Sequence, residues 1–137
     1  MTEIIQIELD VEELRTRAFA YGPHNPNWVP NKEHNLFFLH GYQNLYNDLL
    51  RARGHILLND ILDGIGFPRT LEGAIVGWAL SFQTHSYIEF TITSDDLSET
   101  LDIQFNIQGP ILDQMVPAHA ISVAQFDIQN QGAANDR

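Results

Sequence analysis

Residues 34–53 carry the strongest folding instruction in the chain. Phe38, Tyr42, Leu45 and Leu49, together with Leu39, Tyr46 and Leu50, recur at three- and four-residue steps, so in a helix they share one stripe. His40, Asn44, Asn47, Asp48 and Arg51 fall on the opposite side. Arg51 and Arg53 suit the negative C-terminal end of such a helix, and Gly54 supplies a left-handed stop. A helix this long with one apolar side needs a second layer against it, and the remaining sequence must provide that layer.

Sheet is the layer on offer. Residues 87–93 alternate cleanly between apolar and polar, and Leu101, Ile103, Phe105 and Ile107 alternate with Asp102, Gln104 and Asn106. The Ser- and Asp-rich stretch 94–99 between them reads as a turn. Residues 75–80 form an apolar run that reads as a buried strand, although its length also suits a piece of helix. Ile5, Ile7 and Leu9 suggest a short opening strand, and residues 121–128 a strand whose slipped parity implies a bulge. Gly109-Pro110 is expected to break the chain, and residues 111–115 are ambiguous.

Further helix is expected in two places. Asp10-Val11-Glu12-Glu13 reads as a capping box opening a helix to about Phe19, and residues 57–62 as a helix ended by Gly64 and Gly66, with Thr70 capping one more turn. Residues 21–33, with Pro23, Pro26 and Pro30, read as a loop. The expected fold is α+β: helices of the N-terminal half packed on one face of a mainly antiparallel β-meander. Trp78, Ile88, Phe90, Ile103 and Phe105 would face the long helix, and Glu89, Asp102 and Gln104 would face outward. The 137 residues read as a single domain with a frayed tail at 129–137.

Charge narrows the partners. The net charge is −11, and residues 70–136 hold nine acidic groups and no Lys or Arg. Such a surface repels nucleic-acid phosphates and anionic lipid, while a basic partner stays open. Cysteine is absent, which excludes disulfides, thiolate metal sites and cysteine nucleophiles. It also favours an intracellular or virion-borne protein over a secreted one. No stretch has the apolar length to span a bilayer, and the N-terminus lacks the pattern of a signal peptide.

The chemistry-bearing residues form no pattern that assigns a reaction. His34 and His40 lie about 240° apart around a helix, and the other histidines are scattered, so surface histidines are the expectation rather than a metal set. Asn59, Asp60 and Asp63 lack the calcium-loop spacing. The glycines at 64, 66, 73 and 77 match no phosphate loop. Asp95, Asp96 and Glu99, with Asp102 just beyond, read as a solvated turn that a basic partner could also use. Trp28, set between Pro26 and Pro30, is either a recognition tip or a ring folded over the core. Trp28, Glu89, Asp95, Asp96, Glu99 and Asp102 are therefore the expected partner-binding residues. No catalytic residue, cofactor or metal is expected.

Several stretches together resemble a known family. Residues 44–60 are followed by Gly66-Phe67-Pro68-Arg69-Thr70, Gly73, Val76-Gly77-Trp78, Tyr87-Ile88-Glu89-Phe90 and then residues 102–113. This order, over residues 38–115, is similar to a family of small uncharacterised proteins of bacteriophages, prophages and other bacterial mobile elements. Two departures are visible: Ile88-Glu89-Phe90-Thr91 stands where the family has aromatic-Asp-Phe-Gly, and Ile107-Gln108-Gly109 where it has Val-Asp-Gly. The resemblance implies a phage or mobile-element origin and supplies no catalytic residue. The expectation is a non-enzymatic accessory protein that binds another protein. An acidic nucleic-acid mimic, a virion component built as a homo-oligomer, and a small hydrolase are the alternatives.

Overall fold

A computed structural model describes residues 9–81, 86–95 and 97–112. The expected strands at residues 5–9 and 121–128, the segment 113–115 and the tail lie wholly or almost wholly outside these residues, as do Asp96, His85 and His119.

Asp10 caps the first helix as expected. Its carboxylate accepts from the Glu13 N–H at 3.1 Å and opens α1, Val11–Thr16. The helix stops earlier than its sequence suggests. Arg17 is extended, and Phe19–Tyr21 become strand β1 instead of a last helical turn. Aromatic side chains fit a pleated surface, and here Phe19 packs on Phe105 with ring centroids 5.3 Å apart.

The long helix is α2, Lys32–Arg53, capped by Asn31 and closed by Gly54 at φ 88°. A short strand that the sequence did not announce, β2 (His55–Leu57), follows at once. Helix α3, Leu58–Ile65, is opened by the Asp60 carboxylate accepting from the Leu57 N–H and closed by Gly66 at φ 112°. The Thr70 hydroxyl accepts from the Gly73 N–H and caps the 3-10 turn Glu72–Ala74. Strands β3 (Val76–Ala79), β4 (Phe90–Ser94), β5 (Leu101–Phe105) and β6 (Gly109–Pro110) complete the elements.

The class is α+β, but the strands make two antiparallel sheets instead of one meander. One has the order β1-β5-β4 and the other β2-β3-β6. Trp78 thus belongs to a different sheet from Phe90, Ile103 and Phe105, although all are buried. The split has a local cause. Gly109-Pro110, expected to break the chain, pairs with Val76 and Gly77 and takes the C-terminal run away from β5 onto β3. Gly109 permits this by adopting φ 153°.

Helix α2 packs on β2 and α3 and reaches the other sheet through Phe38 on Tyr21 and Gln43 on the Phe90 N–H. Its core side is rotated from the expected stripe. Leu39, Tyr46 and Leu50 are buried as predicted, but so are Asn35 and Asn47, while Leu45 is left exposed. Asn47, placed by its polarity on the outer side, is 9 % exposed because its carboxamide serves the backbone of the segment entering β4. It donates to the Ile88 carbonyl at 2.8 Å and accepts from the Ile88 N–H at 2.7 Å. One turn earlier, Gln43 accepts from the Phe90 N–H at 2.9 Å. Those amides thus occupy strand groups that would otherwise be orphaned in the interior.

Candidate functional site

Rotating α2 inward on its amide side turns another side outward. At about 100° per residue, Gly41 lies opposite the buried Leu39–Tyr46–Leu50 sector, and His34, Phe37, Phe38 and Leu45 fall within about 60° of it. Phe37 is 80 % exposed and Leu45 47 %. With His34, Phe38, Gly41 and Tyr42 they line a shallow apolar groove of about 330 Å³. Phe38 and Tyr42 are half-buried, with ring centroids 4.7 Å apart, and Phe38 stacks on buried Tyr21 at 6.0 Å. The floor of the groove is therefore anchored to the core, while Phe37 and Leu45 stand free as its rims.

Among the described residues, those expected to bind a partner lie elsewhere and do not form one patch. Trp28 is folded onto the core, half-buried, with its indole N–H donating to the Glu99 carbonyl at 3.1 Å. That bond joins Trp28 and Glu99 on one wall of a polar cleft of about 360 Å³, which also includes Lys32 and Ser98. Asp95 holds its own turn, its carboxylate accepting from the Leu97 N–H at 2.6 Å. Asp102 sits in β5 opposite Thr93 and Ala20, on the outer sheet face. Glu89 precedes β4 at the far end of that face, where its N–H donates to the Asn106 side chain at 2.8 Å.

Ion pairing separates the acidic groups into two sets. Glu12 pairs with Arg15, Glu13 with Arg17, Asp48 with Arg51 and Asp63 with Arg69. The Arg69 guanidinium holds the Asp63 carboxyl below the usual range, and the Glu13 carboxylate holds Arg17 above its own. Among the described residues, Glu89, Asp95, Glu99 and Asp102 have no such partner within 4.0 Å. Burial pushes the Tyr21 hydroxyl up to about 12 and raises Tyr46 as well. Neither tyrosine faces a carboxylate or imidazole in a way that makes an acid–base pair: Tyr46 donates to the Asp60 backbone carbonyl at 2.8 Å. Among the described residues no three His, Asp or Glu side chains gather as a metal site, and no helix is long and apolar enough to cross a membrane.

Two of the positions that depart from the resemblance, Gln108 and Glu89, make side-chain hydrogen bonds. The Gln108 carboxamide accepts from the Ala79 N–H at 2.9 Å and donates to the Ser86 hydroxyl at 2.6 Å. The Glu89 carboxylate is exposed and accepts a long 3.4 Å bond from the Tyr87 hydroxyl.

Residues 3–115 match a family of unknown function, DUF6353. The chain belongs to that family. No curated protein and no solved structure matches it. The DUF6353 region includes α2 with its outward groove, the Trp28 cleft and every strand described above.

Sequence reasoning missed Phe37, Gly41 and the exposure of Leu45. One signal was available: Phe37 lies off the apolar stripe, among polar neighbours, where no core position calls for an aromatic ring.

Proposed function

We propose that this protein acts by binding protein, and that the outward side of α2 is the contact surface. Exposure of Phe37 at 80 % beside Leu45, over a groove floored by Phe38 and Tyr42, carries the reading. A large apolar side chain left in water on a helix that already has a full core contact forfeits its transfer free energy, about 1.5–3 kcal/mol, unless something covers it. Such a ring, rimmed by polar residues, is the usual anchor of a helix-mediated contact. The likeness to proteins of phages and mobile elements supports an accessory role in the bacterial cytoplasm or in the virion.

Phe37→Asp and Leu45→Asp test this directly, since neither side chain contributes to the core. The expected result is an unchanged far-ultraviolet circular dichroism spectrum with loss of stoichiometric protein binding, measured with the immobilised full chain. Binding that survives both substitutions would remove α2 from the reading.

A second reading, the acidic mimic, is favoured by one observation: among the described residues Glu89 and Asp102, on the outer side of the β4–β5 pair, and Asp95, in the turn beyond β4, have no ion-pair partner within 4.0 Å. Its signature is binding to a basic, nucleic-acid-handling protein that weakens steeply with salt. Affinity that stays flat from low to high salt would remove it.

A further inference from the structure

We draw no further inference here: the strongest candidate, the outward apolar groove on α2 between Phe37 and Leu45, belongs to the contact surface already described, and nothing among the described residues shows what covers it.

Discussion

Asn35, Asn47 and Asn59 use one device three times. Each buried carboxamide bonds both the N–H and the carbonyl of a single distant residue: Val29 at 3.2 and 2.7 Å, Ile88 at 2.7 and 2.8 Å, Thr70 at 3.0 and 2.9 Å. The side chain imitates one rung of a sheet, which lets loops cross the interior without orphaned polar groups. Deleting one amide leaves two buried backbone groups unpaired, so Asn47→Leu is expected to cost about 2–4 kcal/mol in urea unfolding. Asn47→Asp should be as harmful at neutral pH and milder near about pH 4, where a protonated carboxyl regains the donor. Equal stability of Asn47→Asp at both pH values, relative to the parent, would contradict this account. Tyr21 presents the reverse case: its hydroxyl is buried with no partner. Tyr21→Phe should therefore be neutral or stabilising by up to about 1 kcal/mol. With the folded hydroxyl raised from 10 to about 12, the neutral form is the one the fold favours. Its contribution is complete below about pH 10 and lost as pH climbs toward 12, when the unfolded chain ionises first. Tyr21→Phe should flatten that alkaline loss, leaving the share due to Tyr46, which burial also raises. An unchanged alkaline limb would show that Tyr21 is not its source.

At the scale of elements, two glycines separate what the fold needs from what it tolerates. Gly77 lies in β3 between Leu57 and Gly109, where an added Cβ would overlap the Ile56 carbonyl. Backbone cannot give way as a side-chain tip can, so Gly77→Ala is expected to cost at least about 4 kcal/mol and to prevent folding at moderate temperature. Gly41→Ala, in open space among the described residues on α2, should instead stabilise the fold by about 0.5–1 kcal/mol in thermal unfolding. A destabilised Gly41→Ala chain would mean that the bare backbone is used within the fold. The same elements show how far the sequence could be read. The C-terminal end of α2, the Gly54 and Gly66 stops, the Asp10 and Thr70 caps and the β4–β5 pair follow from local periodicity and local hydrogen bonding, while α2 begins two residues before its expected start, at Lys32 behind the Asn31 cap. What escaped depends on contacts between residues far apart in sequence. Phe19 joins a sheet because Phe105 and Ile103 are there to receive it. Asn47 enters the core because Ile88 needs both its bonds, and that requirement turns Leu45 outward beside Phe37, which the apolar stripe already left outside. Of the expected binding residues that are described, Trp28 and Glu99 are drawn together, through a backbone carbonyl that no sequence pattern marks.

For the whole molecule, charge decides what salt does to each surface. The chain carries −11, and among the described residues Glu89 and Asp102 stand without an ion-pair partner. A basic partner on that sheet face is drawn in by long-range attraction. Screening shortens the reach of the attraction from roughly 10 Å at 0.1 M to about 3 Å at 1 M. The affinity of such a complex comes from the charges that salt screens, so it should fall steeply as salt rises from about 0.05 to about 0.5 M. The apolar contact of Phe37 and Leu45 is indifferent to moderate ionic strength, and a partner held through α2 should keep its affinity over the same range. One titration thus separates the two surfaces: a flat response that Phe37→Asp abolishes points to α2, and weakening to carboxylates meeting cations. Binding that needs Phe37 and still weakens steadily with salt would show that charge contacts, and not the apolar groove, hold the partner.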